Sequence, residues 1–246
     1  MTALAMRAPV AALAAALALA GCGWGGNGGG NGGGDLQAPA ALSAPAARLA
    51  DDFRAAAFAR PAAGGAPQGP ATLLRWDGAI PWGFDSTLPN GGDDAALVAL
   101  VAASGRAAGR AMTRTPDLAD GGIRLWVTAA AEIERTAGAP GARCHGMLGT
   151  VRKGPRQGAP IAVAMAAEDA PPSWRSECLA MSLVTALGLA GARSVDAPLV
   201  EGGEAPALTP LGATLLRILY DPRLGPGMTE AEAMPVVRAI AAEIAP

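Results

Sequence analysis

The sequence predicts an α+β domain, a small mixed sheet with packed helices and a helical C-terminal half. Three observations predict it. Short apolar runs of strand length recur between residues 73 and 165, longer segments of helical length follow from residue 174, and roughly 200 residues of domain-like composition suit a single core.

The chain opens with MTALAMRAPVAALAAALALAGC, in which one positive charge, Arg7, precedes an apolar stretch over residues 9–20. That stretch is too short and too rich in alanine for a transmembrane helix, which needs about 20 strongly apolar residues. It closes on small residues, as a cleavage site does. Leu19-Ala20-Gly21-Cys22 resembles the bacterial lipobox, in which the cysteine is acylated and the chain is cut just before it. Residues 1–21 are therefore expected to be a lipoprotein signal peptide, with Cys22 the lipidation site. The alternative is an ordinary signal peptide that happens to contain a cysteine. Two or more acyl chains hold stably in a bilayer where one holds only marginally, so a fully modified Cys22 suffices as an anchor. In known lipoproteins an Asp after the cysteine is associated with retention at the inner membrane. Gly23 stands there instead, so the expected location is the outer membrane, facing the periplasm.

Residues 23–34 are almost all Gly and Asn, which offer nothing to a core, and residues 22–70 read as a Gly/Ala/Pro-rich flexible tether. Within the tether, residues 47–60 are amphipathic, with Leu49, Phe53 and Phe58 along one face of a short leading helix. The globular domain is expected over residues 71–246. Residues 73–80 (LLRWDGAI) form a candidate strand. Residues 93–112 form a helix whose opening Asp93 and Asp94 suit its positive N-terminal end. Residues 123–128 (IRLWVT) read as a strand. Residues 146–151 and 159–165, separated by a Gly/Pro/basic turn, read as a hairpin. After Pro171 and Pro172, Ser173 is a natural N-cap for a mostly buried helix over residues 174–189, with Gly188 and Gly191 ending it. Two further helices are expected over residues 209–220 and 229–244. The second starts on a capping box, Thr229 with Glu232, and carries Pro235, which could kink it.

Charge is nearly balanced, 19 Lys and Arg against 21 Asp and Glu, and no basic patch argues for nucleic acid. The expected partner is a lipid bilayer, reached through acylated Cys22. A monomer without a cofactor is expected, and no protein partner is named by the residues. With Cys22 assigned to lipid, Cys144 and Cys178 remain, and in an oxidising compartment they suggest one disulfide. Closing a loop of that length stabilises by roughly 3 to 4 kcal/mol. The alternative is a metal site, but the only histidine is His145, beside Cys144. Neighbours on a strand face opposite sides and do not readily share one ion.

The run LLRILYDPRLGPGMTEAEA, residues 215–233, together with Cys178 and Leu187-Gly188-Leu189, resembles the proteobacterial domain-of-unknown-function family 2927, whose members are often predicted lipoproteins. Upstream, the likeness rests on Arg75-Trp76, the strand at Ile123 and the position of Cys144. In that family the helix after the cysteine usually carries Glu-Glu-x-x-Gln, a pattern similar to the His-Glu-x-x-His-x-x-Gly helix of zinc metallopeptidases. The resemblance thus implies a zincin-like domain. Here the matching positions are Met181, Ser182 and Thr185, with Gly188 where the glycine belongs. Methionine is a poor zinc ligand, serine is no carboxylate base, and threonine does not replace imidazole. The polar residues that usually follow Leu-Gly-Leu are also replaced, by residues 190–193 and 197–203. The domain is therefore expected to be degenerate, with no metal and no catalytic residue.

Other candidates have plain structural readings. Ser173 and Ser182 lack a Gly-x-Ser-x-Gly elbow. Glu168, Asp169 and Glu177 read as a solvated acidic rim, or as a contact for a cation or basic peptide. Asp221 and Arg223 read as fixing their turn. Residues 25–34 lack the Lys-Ser/Thr of a phosphate loop. The expectation is a non-enzymatic envelope lipoprotein with a binding or structural role. The alternative is a cell-envelope hydrolase working through Glu168 and Glu177.

Overall fold

The computed structural model describes residues 43–59, 71–88, 95–116, 118, 121–150 and 160–245. Cys22, the signal segment, Asp93 and Asp94, and the turn at 152–158 lie outside the described residues.

A leading helix α1 (Ala44–Phe58) starts on Ser43, whose hydroxyl accepts the Ala46 N–H. It buries Leu49, Phe53 and Phe58, the face expected from the sequence. Strand β1 (Ile80–Ser86), helix α2 (Ala95–Ala108), strands β2 (Met112–Arg114) and β3 (Gly122–Thr128), and helix α3 (Ala130–Ala137) follow. Next come strands β4 (Cys144–Thr150) and β5 (Pro160–Ala167) and helix α4 (Pro172–Ala186). A single 3-10 turn (Ala192–Ser194), two short strands β6 (Val200–Glu201) and β7 (Ala207–Leu208), and helices α5 (Pro210–Leu219) and α6 (Glu230–Ile244) complete the domain. The fold is α+β, as expected.

The main sheet has the order β2-β1-β3-β5-β4. Strands β2, β1, β3 and β5 run parallel, and β4 is antiparallel to β5 at one edge, which is the expected hairpin. Register decides the faces. Ala162, Ala164 and Ala166 of β5 join the large core, whereas Met165 and Ala167 pack with Ile133 of α3 on the other face. Helix α4 lies on the alanine face and packs on β3, β4 and β5. Beyond it α1 packs on α6 and α5, and α2 packs on α5 and α4. Because the sheet offers Ala and Gly to α4, helix and sheet approach closely. A Cβ added at Gly146 would lie 2.8 Å from both Cα and Cβ of Ser182.

Several expectations need correction. The strand expected at 73–80 is extended backbone that serves the C-terminal helices, and β1 begins where it was expected to end. Leu73 exchanges backbone hydrogen bonds with Gly227 and Met228. Arg75 Nη1 donates to the carbonyls of Leu219, Asp221 and Leu224, and the Trp76 indole N–H donates to the Ala186 carbonyl. Pro81 is tolerated in β1 because pairing with β3 starts only at Trp82. Helix α2 stops at Ala108, where Gly109 takes φ 60°, so Met112 belongs to a strand. Helix α3 was not foreseen. The N-cap of α4 is Pro171, with Pro172 in its first turn, so Ser173 is a helix residue without a capping bond. The expected capping box of α6 is present, and Pro235 sits inside the continuous helix. The tether boundary also moves: α1 has Ala46, Phe53 and Ala56 wholly buried in the common core, so packed structure includes residues 44–58.

Candidate functional site

Helix α4 carries the positions matched to the metallopeptidase motif, and register with the sheet determines what each can reach. Cys144 stands opposite Ala166 and so faces α4, whereas His145 stands opposite Met165 on the other face. The Cys144 and Cys178 sulfurs lie 2.15 Å apart in a disulfide, so β4 is stapled to α4. Ser182 is buried beneath Gly146 at 2 % exposure, its Oγ 3.6 Å from the Cys144 sulfur. Met181 and Thr185 are half-buried, and the Thr185 hydroxyl donates to the Met181 carbonyl.

The two half-buried residues open onto a groove. With Glu177 and Trp174 they form one face of α4, at helical spacings of three and four. Toward the helix C-terminus a cavity of about 310 Å³ is lined by Thr185, Met181, His145, Gly146, Arg193 and Ser194, among others. Toward the N-terminus a cavity of about 520 Å³ is lined by Trp174, Glu177, Met181, Arg193, Asp196 and Val200, among others. Cys144, Met181 and Arg193 line both, so the cavities adjoin. One wall is β4, whose outer edge pairs with no strand among the described residues. The other is the segment from Gly191 to Val200, tied to α1 by the Gly191 N–H, which donates to the Ala56 carbonyl.

Electrostatics divides the groove. The smaller cavity has Arg193 as the charged residue of its lining, and a guanidinium N–H of Arg193 donates to the Cys144 sulfur at 3.4 Å. Burial, and secondarily the Arg193 charge, hold the His145 imidazole below its usual pKa, which favours the neutral ring. His145 Nε2 is buried without a hydrogen-bond partner. The larger cavity adds the carboxylates of Glu177 and Asp196.

Zinc of the metallopeptidase kind does not fit these residues. Met181, Ser182 and Thr185 supply a thioether, a buried hydroxyl and a hydroxyl bonded to its own helix, and His145 lies on the far face of the strand. Among the described residues no three His, Cys, Asp or Glu side chains converge. The carboxylates of the hydrolase alternative are separated. Glu168 is hydrogen-bonded to the Thr87 hydroxyl, while Glu177 lies against Gly202. Asp169 pairs with Arg143 at 2.6 Å. Asp221 accepts from the Arg223 backbone N–H and guanidinium, and Arg223 also bonds Glu243, so this group fixes the α5–α6 turn as expected. Arg193 and Trp174 had no motif to mark them. Their only signal is that Arg193 is the one positive charge between Arg175 and Arg217.

A family model described as a protein of unknown function (DUF2927) matches residues 46–239. No curated protein and no solved structure matches the chain.

Proposed function

The chain belongs to the DUF2927 family of proteins of unknown function, and from that premise we propose that it is a membrane-anchored envelope lipoprotein whose metallopeptidase-like domain binds peptides without cleaving them. The observation that carries this reading is the groove along α4, with the Met181 and Thr185 face on its floor and the unpaired edge of β4 as its wall. A free strand edge offers unpaired N–H and C=O groups, to which an extended peptide adds as a further strand. Adjoining cavities then receive alternate side chains. Among the described residues no three His, Cys, Asp or Glu side chains converge along the groove as a zinc site needs. Location follows from Cys22: an acylated cysteine ahead of the domain holds it at a bilayer facing the periplasm.

The test uses the full-length chain in detergent micelles with extended peptides. Binding is expected to protect the β4 amides that point away from β5, those of Cys144, Gly146 and Leu148, from hydrogen exchange while the peptides stay intact. Stoichiometric zinc with a chelation-sensitive peptidase activity overturns the non-enzymatic reading. A labelled fatty acid is expected to enter the wild-type chain and not Cys22→Ser; equal labelling of both overturns the anchor.

A further inference from the structure

We propose that the groove selects short zwitterionic peptides, seating a free carboxylate on the Arg193 guanidinium and an ammonium group between Glu177 and Asp196. This rests on the reading of the groove as a peptide site and adds which peptides it takes.

The carrying observation is a set of opposite charges that share a cavity without meeting. Arg193, Glu177 and Asp196 all line the same space of about 520 Å³, a size typical of sites for small ligands. Among the described residues none of the three forms an ion pair, and the one hydrogen bond of Arg193 goes to the Cys144 sulfur, a weak acceptor. Elsewhere the chain pairs its charges locally, as in Arg143 with Asp169, Arg124 with Asp85, and Arg223 with Asp221 and Glu243. A guanidinium without a carboxylate offers a planar fork of donors suited to bidentate binding of one. The two carboxylates of the same lining suit an ammonium, and the Trp174 ring, 38 % exposed, adds an aromatic surface for a cation.

Arg193 and Glu177 are exposed, and each is carried by a packed element. Arg193 lies in the 3-10 turn that Gly191 ties to α1, and Glu177 lies so close to Gly202 that an added Cβ would come within 2.8 Å of its carboxylate. The same cavity is lined by the disulfide and Met181, with Val195, Pro198 and Val200. A simple anion would meet two carboxylates there, and a simple cation would meet Arg193. A ligand carrying both charges, joined by a short apolar or amide body, satisfies the whole lining.

The experiment titrates full-length protein in detergent micelles with trialanine and its N-acetylated, C-amidated and doubly blocked forms, by calorimetry. The free peptide is expected to bind at least ten-fold more tightly than either singly blocked form. Arg193→Gln is expected to abolish the preference for acid over amide and keep that for free amine over acetyl. Glu177→Gln with Asp196→Asn is expected to do the reverse. Arg193→Lys, which keeps the charge without the fork, is expected to retain a weakened preference for the acid. Equal binding of free and blocked forms, or an acid preference untouched by Arg193→Gln, overturns the proposal. A doubly blocked hexapeptide separates the two readings. If it protects the β4 amides while trialanine shows no end-group preference, the groove reading stands and the zwitterion proposal fails; if no peptide binds, both fail.

Discussion

At Gly188 the backbone takes φ 115°, and a Cβ there would lie 2.0 Å from the Leu74 carbonyl oxygen. The glycine lets the chain leave α4 directly beneath the segment that carries Arg75 and Trp76, and the Tyr220 hydroxyl donates to the Leu187 carbonyl next to it. Gly188→Ala combines backbone strain with overlap against main chain, so it is expected to cost roughly 3 to 5 kcal/mol, read from the denaturant midpoint. His145 gives a second expectation at this scale. Its folded pKa lies below the usual 6.5, because burial, and after it Arg193, disfavour the charged ring. As pH falls the unfolded chain takes up this proton first. The stabilisation is therefore complete above 6.5 and is lost as pH falls through the lower folded value. Melting temperatures measured between about pH 7.5 and 5 are expected to fall less steeply for His145→Gln than for the wild type. Equal slopes count against a neutral buried ring.

Among the elements, β4 and α4 are joined covalently as well as by packing. The Cys144–Cys178 bridge spans 34 positions, and its removal by Cys144→Ala with Cys178→Ala is expected to cost about 3 to 4 kcal/mol in denaturant unfolding. Cys178 is 5 % exposed, so a thiol entering the groove meets Cys144 and must expel a thiolate into an apolar site, which slows reduction. A loss under about 1 kcal/mol shows that packing alone holds strand to helix. The sequence announced these two elements well, because β4 pairs with an unbroken apolar run over residues 160–167 and α4 is long and apolar. It announced others poorly. Residues 73–79 have the composition of a strand, but their partners are the loops and ends of α5 and α6, far along the chain. Strand β2 is three residues long and its Met112 continues the apolar pattern of α2, so periodicity alone extends the helix to that residue. Helix α3 is amphipathic but only eight residues long and buries a single side chain, Ile133, so it falls below the length at which a helical period stands out. The site divides in the same way. Met181, Ser182 and Thr185 could be aligned with a motif, whereas Arg193 is placed by the docking of its turn on α1, which no local pattern encodes.

The molecule as a whole depends on α1 more than its place in an alanine-rich leader suggests. Leu49, Phe53 and Phe58 are buried against a core that also contains α5 and α6, and Gly191 takes its backbone partner from α1. Burying each such side chain is worth about 1.5 to 3 kcal/mol, so the three together supply roughly 5 to 9 kcal/mol. That is comparable with the whole stability of an ordinary domain, about 5 to 15 kcal/mol. A chain lacking residues 1–59 is therefore expected to lose its cooperative thermal transition, while one lacking residues 1–42 removes none of this packing and is expected to keep it. Circular dichroism melts of the two truncations make the comparison. The shorter chain should also fail to protect β4 amides against any peptide, because the wall bearing Arg193 loses the helix that positions it. If it melts cooperatively and still binds, α1 is an accessory to the domain, and the groove is built by the sheet and α4 alone.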